Sequence, residues 1–206
     1  MQPVKIHAPD AELCFWPELI SPQDSKLYYQ QLFSDTQWRQ DKITLFGKTV
    51  NLPRLQAWYG DKEMTYRYSG IELTPEVWTP VLLELKALVE QACGSSFNTV
   101  LLNLYRDGND SNGWHSDDEK ELGEQPLIAS LSLGQKRRFR LKHKESQSKA
   151  IRPLSLDLSS GSLLVMSGST QSCWQHCIPK TSRAVLPRIN LTFRSVIHGS
   201  CPMPTL

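Results

Sequence analysis

The stretch RINLTFR at residues 188–194 alternates polar and apolar side chains from its first residue to its last. Successive side chains of a β-strand point to opposite faces, so this alternation predicts a half-buried strand with one polar face. The polar face carries two arginines with an asparagine and a threonine between them: Arg188, Asn190, Thr192 and Arg194.

Several other segments after residue 96 show a strand-like pattern, and Gly, Ser and Pro residues separate them. Many short strands divided by turn residues are typical of a sandwich or a jelly roll. The sequence therefore predicts a mainly β fold with flanking helices. The predicted strands are 97–105, 127–133, 138–143, 151–158, 162–166 and 188–196, the last of which contains RINLTFR.

The part of the chain before residue 96 is predicted to mix helices with hairpins and loops. Ser21-Pro22 is typical of a helix N-cap followed by the first helical residue, and this helix extends to about residue 33. A second helix is predicted from Thr74 to about residue 93, with Pro80 as an alternative start and Gly94 as its stop. Residues 39–69 are rich in turn residues and aromatics, and we interpret them as hairpins and loops.

Composition and charge exclude several classes of protein. The chain has 206 residues, of which 39% are hydrophobic and 21% charged, which suits one folded domain over residues 1–206. The 23 Lys and Arg residues against 21 Asp and Glu leave a net charge of +2, which excludes a polycation. No apolar run approaches the ~20 residues that a membrane helix needs.

The N-terminus and the cysteines bear on the expected location. The first residues do not show a basic region followed by an apolar core, so we expect no secretory signal. The five cysteines are scattered along the chain, which indicates reduced thiols rather than a disulfide framework. We therefore expect a cytoplasmic protein without a membrane partner, and we expect a monomer.

Three side chains are candidate ligands of a metal ion. His115 and Asp117 form an H-x-D pair, and in extended chain the two side chains share a face. With His176 they complete two imidazoles and a carboxylate, a set that leaves open positions on Fe(II) for a substrate and oxygen. Taken alone, the H-x-D pair is also typical of a polar loop after a strand, and His176 alone is more typical of a histidine at the edge of the core. A zinc site at Cys173, His176 and Cys177 is disfavoured, because a structural site needs four ligands.

The polar face of 188–194 is a candidate binding site for an anion. Arg188 and Arg194 share that face, and guanidinium groups bind carboxylates in a bidentate manner, so they suit a dicarboxylate. Asn103 and Tyr105 alternate in the same way on the predicted strand 97–105 and could reach the same ligand. The alternative interpretation is a solvated strand face.

Taken in order, these pieces resemble the AlkB-type Fe(II)/2-oxoglutarate dioxygenases, which dealkylate nucleic-acid bases. The resemblance covers roughly residues 40 to 196 and is closest to the subgroup that acts on duplex DNA. The combined motif is far more specific than any one of its parts. The matching segments are NLYRDG at 103–108, HSDDE at 115–119, HCIP at 176–179 and PRINLTFR at 187–194.

The resemblance implies a fold and a set of cofactors. The fold is a double-stranded β-helix, or jelly roll, over about residues 96–198, preceded over about 1–95 by a helix and loop extension that recognises nucleotides. The cofactors are Fe(II), 2-oxoglutarate and molecular oxygen, with the iron held by His115, Asp117 and His176. Arg188 would pair with the distal carboxylate of 2-oxoglutarate. The other residues that the resemblance assigns to 2-oxoglutarate are Asn103, Tyr105, Asn190, Thr192 and Arg194.

The resemblance also implies a substrate, alkylated DNA, with RNA as an alternative partner. The reaction would demethylate N1-methyladenine and N3-methylcytosine and release formaldehyde. A base in a duplex must be flipped out to reach a buried metal. Tyr66, Tyr68 and Ser69 match the base-binding segment of the family. Asp118 and Glu119 are placed to accept hydrogen bonds from the exocyclic amine, with a solvated acidic turn as the alternative.

Two features are candidate DNA contacts. Phe46 matches a hairpin aromatic that the duplex-acting subgroup inserts into the gap left by the flipped base, and Gly47 favours a tight turn there. A core phenylalanine is the alternative. A basic run at 136–144 could meet phosphates from one face of a strand, although a charge run is usually a solvated face. The basic residues predicted to contact DNA are Arg137, Lys142, Lys144, Lys180 and Arg183.

Two other functions stay open at this point. The first is a 2-oxoglutarate oxygenase whose substrate is RNA or a protein side chain, because many such oxygenases share the H-x-D…H pattern with a downstream arginine. The second is a non-catalytic nucleic-acid-binding module on the same scaffold. The predicted metal and 2-oxoglutarate residues favour an enzyme over the second alternative.

Overall fold

Strands dominate the computed structural model, which describes residues 2–45, 47–62, 66–68, 71–73 and 75–197. The helices are α1 (Pro22–Asp35), α2 (Pro80–Cys93) and α3 (Thr170–Cys173), with a 3-10 helix at Lys120–Leu122. The strands are β1 (Val4–Ala8), β2 (Ala11–Trp16), β3 (Lys42–Leu45), β4 (Lys48–Asn51), β5 (Leu55–Gly60), β6 (Tyr66–Tyr68), β7 (Ile71–Leu73), β8 (Glu76–Val77), β9 (Thr99–Tyr105), β10 (Asn112–His115), β11 (Ile128–Gly134), β12 (Arg137–His143), β13 (Leu154–Leu158), β14 (Leu163–Ser167), β15 (Trp174–Ile178) and β16 (Arg188–Arg194).

Two sheets make up the body of the fold. The larger sheet has eight strands in the order β1-β2-β14-β11-β16-β9-β5-β8, and the smaller has four in the order β10-β15-β12-β13. The described pairs are antiparallel except for β5 with β8. Such an arrangement is a jelly roll, so the predicted mainly β fold is confirmed. Strands β3 with β4 and β6 with β7 form two separate hairpins.

Strand β16 lies inside the large sheet, between β11 and β9. All seven of its residues are buried, whereas the sequence predicted a half-buried strand. The alternation is real, but the polar face lines a cavity between the two sheets rather than meeting solvent. The interpretation of this face as a solvated strand surface is therefore wrong.

Two hydrophobic clusters hold these layers together. One joins the helices α1 and α2 to the large sheet, with Leu85 on α2 and Leu131 on β11 among its fully buried members. The other includes side chains from both sheets, such as Met166 on β14 and Leu141 on β12. Burial of each such side chain contributes roughly 1.5–3 kcal/mol relative to leaving it exposed. The second cluster packs beside the cavity and holds its two walls together.

The helices begin where capping residues occur. Helix α1 begins at Pro22, as predicted, and the Ser21 hydroxyl accepts the backbone N–H of Asp24 at 3.2 Å. Helix α2 begins at the alternative start, Pro80, and Thr79 Oγ1 accepts a backbone N–H at 3.4 Å. The earlier start at Thr74 is wrong because Glu76–Val77 instead pairs with β5.

The large sheet takes strands from both sides of residue 95. Strands β1 and β2 extend one edge of it and β5 pairs with β9, although the sequence predicted only helices, hairpins and loops before residue 96. None of the helices among the described residues has the length and apolar character needed to span a bilayer.

Candidate metal centre and active-site cavity

His115 and His176 are directly opposite each other on neighbouring strands of the small sheet. His115 ends β10 and pairs in register with His176 in the middle of β15, and the centroids of the two rings lie 4.2 Å apart. Asp117 follows His115 by two residues, and the ligand atoms of the three side chains all lie within 4.8 Å of one another. The structure therefore brings together the three residues that the sequence predicted as metal ligands.

Both imidazoles are in the neutral form that binds metal ions. Burial lowers the pKa of His115, and it lowers the pKa of His176 to about 3. His115 Nδ1 lies 2.8 Å from the carbonyl oxygen of Gly113, to which it donates. Nε2 of His115 is then an acceptor, and the Asn112 side-chain amide donates to it at 3.2 Å. The ring thus presents a lone pair at Nε2.

Asp117 is buried and held from two directions. Its backbone N–H donates to Gln171 Oε1 at 3.0 Å, and its Oδ1 accepts a hydrogen bond from Arg194 Nη2. Its Oδ2 lies 3.5 Å from His176 Nε2, on the side of the cluster. Partners of this kind orient a ligating carboxylate. Arg194, which the sequence assigned to 2-oxoglutarate, is therefore also a partner of a predicted metal ligand.

Arg188 forms part of the cavity wall supplied by the large sheet. It is 1% exposed, and its Nη2 donates to Ser132 Oγ at 2.8 Å. Its Nε and Nη1 are buried and make no hydrogen bond of ordinary geometry among the described residues, although the Tyr105 side chain interacts with the guanidinium and raises its pKa. Burial lowers the pKa of Arg188 to about 10, so the group stays cationic at pH 7.

A buried cation with unpaired donors is costly, so this wall fits an anionic ligand such as the distal carboxylate of 2-oxoglutarate. The cluster on the small sheet likewise offers the two imidazoles and the carboxylate that suit Fe(II). The structure thus fits both groups within one cavity. The residues predicted to bind 2-oxoglutarate all line this cavity with Arg188: Asn103, Tyr105, Asn190, Thr192 and Arg194.

Asn103 is oriented by two residues that the sequence did not assign to the site. Its Oδ1 accepts hydrogen bonds from Arg54 Nε at 2.8 Å and from Gln56 Nε2 at 2.9 Å. The side-chain oxygen is thus engaged, which leaves the amide nitrogen for a ligand. Gln56 pairs in register with Asn103 across β5 and β9. The spacing of two residues between Arg54 and Gln56 could have indicated that both face the site, but the sequence analysis did not predict β5 as a strand.

Asn190 and Thr192 make their hydrogen bonds within the protein. Asn190 Nδ2 donates to Ser130 Oγ at 2.9 Å and to the carbonyl of Leu131 at 3.0 Å. Thr192 Oγ1 donates to Asn190 Oδ1 at 3.2 Å. Both residues line the cavity, and the bonds that Asn190 donates connect β16 to β11.

The predicted base-binding residues are only partly covered by the structure. Tyr66 and Tyr68 lie on β6, whose backbone pairs with β7. Ser69 lies outside the described residues, as does Phe46, the predicted finger. The strands before and after Phe46 pair as a hairpin from Lys42–Leu45 to Lys48–Asn51.

The carboxylates that follow the H-x-D pair have different surroundings. Asp118 is exposed, and its Oδ2 accepts a hydrogen bond from Lys144 Nζ at 2.9 Å. Lys144 also donates to the backbone carbonyl of Gln171 at 3.2 Å. Glu119 is half-buried and precedes the 3-10 helix. Lys144, predicted to contact DNA, thus pairs with a predicted base-binding carboxylate.

Arg137 is almost completely buried but lines the surface cleft described below, so its contact with DNA stays a prediction. It shares a face of β12 with Phe139 and Leu141 and is 4% exposed. Its guanidinium donates to three backbone carbonyls, those of Asp107, Asp110 and Pro179. Those contacts use three of its five N–H donors.

The other predicted DNA contacts are at the surface. Lys142 is half-buried, with Nζ 4.5 Å from the centroid of the Trp114 ring. Lys180 and Arg183 are exposed and line a cleft of about 430 Å³ together with Lys136, Arg137, Arg138 and Asp157. We call this the basic cleft.

A second group of potential ligand atoms comprises Asp10, His143 and Cys173. His143 Nδ1 accepts the backbone N–H of Glu145 at 3.0 Å, so the neutral ring carries its proton on Nε2. That nitrogen lies 3.3 Å from Asp10 Oδ2. The protonated Nε2 is poorly suited to binding a metal ion.

Comparison with known proteins agrees with this geometry. Residues 12–194 match the model of the 2OG-Fe(II) oxygenase superfamily. The chain is 40% identical over 192 residues to human alpha-ketoglutarate-dependent dioxygenase alkB homolog 3, covering 90% of this chain and 66% of the relative. It is 44% identical over 160 residues to the mouse DNA oxidative demethylase ALKBH2, covering 76% and 67%.

The chain spans 66% of the length of the bovine and human alkB homolog 3 proteins. The solved structure of OsALKBH1 has the same fold, with a TM-score of 0.61 and 16% identity over 94% of this chain and 99% of that one. The superfamily uses Fe(II), 2-oxoglutarate and oxygen, the groups that the cavity fits. This chain therefore belongs to the AlkB-type family of the 2OG-Fe(II) oxygenase superfamily.

Proposed function

We propose that this chain is a dioxygenase that demethylates N1-methyladenine and N3-methylcytosine in DNA at the expense of 2-oxoglutarate. One observation carries the proposal: the His115, Asp117 and His176 cluster shares a cavity with the buried guanidinium of Arg188. Relatives named as a DNA oxidative demethylase and as an alkB homolog dioxygenase support the substrate class.

The residues of the two walls have separate tasks in this proposal. His115, Asp117 and His176 would hold Fe(II), and Arg188 would bind the distal carboxylate of 2-oxoglutarate. When bound, these groups with oxygen supply an oxidation that hydroxylates the N-methyl group, and the resulting hemiaminal releases formaldehyde. The contribution of the protein is to position the groups and to keep water out.

Several contacts limit movement of the proposed ligands. The Phe139 ring stacks on His176, with 5.2 Å between the ring centroids and 26° between the planes. Arg194 donates to Asp117, and Gly113 accepts from His115. These contacts hold the side chains in place before a metal ion arrives.

The region outside the cavity suits a cationic base. Asp118 and Glu119 would accept hydrogen bonds from the exocyclic amine, and two carboxylates favour the positive charge of both methylated bases. A bound base would compete with Lys144 for Asp118. Tyr66 and Tyr68 stay predicted contacts of the flipped base, together with Ser69.

The test is formaldehyde release from oligonucleotides that carry N3-methylcytosine, with Fe(II) and ascorbate present and 2-oxoglutarate present or absent. We expect release that requires 2-oxoglutarate. Succinate formation that no methylated DNA stimulates would contradict the substrate and favour RNA or a protein side chain, which the same assay then tests. Absence of any 2-oxoglutarate binding would favour the non-catalytic module.

The basic cleft is proposed to bind the phosphate backbone. Replacing both Lys180 and Arg183 by Glu is expected to weaken duplex binding and to reduce the slope of log affinity against log salt by about 1 per lost contact. Titration of a fluorescent duplex at several salt concentrations measures both quantities. Lys26→Glu, an exposed lysine on α1, is the control and should leave the slope unchanged. An unaltered slope in the double variant would remove the cleft from this role.

Phe46 is proposed to fill the gap left by the flipped base. Because base stacking contributes about 1–3 kcal/mol, Phe46→Ala is expected to reduce turnover on duplex DNA roughly tenfold and to change single-strand turnover little. Phe33→Ala, an exposed aromatic on α1, is the matched control. Equal losses on both substrates would contradict a finger.

Three expectations complete the proposal. We propose that the protein acts as a monomer in the cytoplasm and that residues 1–95 recognise the nucleotide while 96–198 carry the chemistry. The proposed metal ligands and Arg188 all follow residue 95, and Tyr66 and Tyr68 precede it, which supports this division. Arg54 and Gln56 contribute to the cavity from the earlier part.

A further inference from the structure

Arg137 is a buried cation at the junction of two loops. Its Nη1 donates to the carbonyl of Asp107 at 3.0 Å, and its Nη2 donates to the carbonyls of Asp110 and Pro179, both at 2.9 Å. Asp107 and Asp110 belong to the loop from β9 to β10, and Pro179 belongs to the loop from β15 to β16. One guanidinium therefore ties together the loops that precede His115 and Arg188.

The two loops are also in direct backbone contact. The Thr181 N–H donates to the Gly108 carbonyl at 2.9 Å. A Cβ at position 108 would lie 2.3 Å from the Thr181 carbonyl oxygen, so only glycine permits this approach. The junction that Arg137 stabilises is thus closely packed where Gly108 meets Thr181.

Arg137 also contacts a ring that lines the active-site cavity. Its guanidinium carbon lies 5.6 Å from the centroid of the Tyr105 ring, and that of Arg188 lies 5.3 Å from the same centroid. Tyr105 is 1% exposed and pairs in register with Arg188. Both distances are within the range of cation–π attraction, so both guanidinium groups interact with this one ring.

We propose that Arg137 is a positioning residue for 2-oxoglutarate, acting through the Tyr105 ring on Arg188. This inference rests on the proposed binding of 2-oxoglutarate by Arg188. Arg137 does not line the cavity, so it would not touch the ligand. Lysine cannot reproduce its role, because an ammonium group lacks the planar fork that reaches three carbonyls and lies over a ring.

The test is a double-mutant cycle on the affinity for 2-oxoglutarate. Arg137→Lys is expected to raise the dissociation constant about five- to tenfold, since a desolvated cation–π contact contributes up to about 2 kcal/mol. In a Tyr105→Leu background the same change should raise the dissociation constant less than about twofold, because the ring that links Arg137 to Arg188 is absent. Anaerobic titration of the Fe(II)-loaded protein, followed by its visible charge-transfer band, measures binding without turnover.

Kinetics separate positioning from general loosening of the fold. The KM for 2-oxoglutarate should rise in parallel with the dissociation constant, and kcat at saturating 2-oxoglutarate should stay within about twofold of the wild type. Arg106→Lys is the matched control, because Arg106 pairs with Asp110 on the same loop, with Nε 2.8 Å from the carboxylate. That control should leave the affinity unchanged.

Three results would overturn the inference: wild-type affinity in Arg137→Lys, equal effects of the change with and without the Tyr105 ring, or an equal loss in Arg106→Lys. If Arg137→Lys does not fold, Arg137→Gln enters the same cycle, because its amide can still donate to the carbonyls. A wild-type protein that does not bind 2-oxoglutarate would instead contradict the proposed function.

Discussion

Replacing His176 by Ala is expected to abolish Fe(II) binding and turnover while the chain stays folded. The cluster has three protein ligands, and the variant retains only His115 and Asp117. Loss of partners that merely orient a ligand costs 10- to 100-fold in metal affinity or activity, so loss of a ligand should exceed about 100-fold. Removal of one buried side chain costs roughly 0.5–3 kcal/mol of stability, which a domain of this size tolerates.

Two measurements check this prediction, the iron content after anaerobic loading and the melting temperature of the metal-free chain. His143→Ala is the control, because His143 is also buried but belongs to the group with Asp10. It should bind iron as the wild type does, so it separates loss of a buried imidazole from loss of a ligand. Iron-dependent turnover by His176→Ala would refute the proposed ligand set.

Replacing Arg188 by Ala is expected to raise the dissociation constant for 2-oxoglutarate by at least about 30-fold. Truncating one partner of a buried, hydrogen-bonded charge pair costs about 2–5 kcal/mol, and each 1.4 kcal/mol is tenfold. The unpartnered Nε and Nη1 are the donors that the variant loses. Iron binding should persist, because Arg188 does not belong to the metal cluster.

Ligands of different length give the sharpest measurement. In the wild type, 2-oxoglutarate should bind far better than 2-oxobutyrate, which lacks the distal carboxylate, and in Arg188→Ala this preference should largely disappear. Arg152→Ala removes an exposed arginine and serves as the control. A variant that still prefers 2-oxoglutarate would exclude Arg188 from binding the distal carboxylate.

The sequence predicted most strands of the second half because their side chains alternate, as in β16 and β12. It did not predict β15, since WQHCI places the polar His176 on the inner face and a buried cysteine beside it. Here the requirement of the site overrides the ordinary pattern of a core strand. It also missed β1 and β2, which join the large sheet at its edge.

The burial of Arg137 could have been predicted from the alternation of side chains along β12, but its positive charge favoured a surface position. It lies two residues before Phe139 and four before Leu141, so period-two spacing places it on their inward face. For Arg188 the alternation correctly predicted a polar face of the strand, but it could not predict that this face is buried. Burial of this face depends on how the small sheet packs against the large one, and the pattern of a single strand does not contain that information.

The register between β10 and β15 means that the site depends on the number of residues in these strands as well as on which residues they are. Asn112 pairs with Ile178 and His115 with His176, and an irregularity between these two pairs absorbs one residue. Inserting or deleting one residue in either strand would reverse the faces of all side chains beyond that point. Such a change would keep all three ligand residues in the sequence and yet separate the two imidazoles in space, so the site requires a fixed number of residues in both strands.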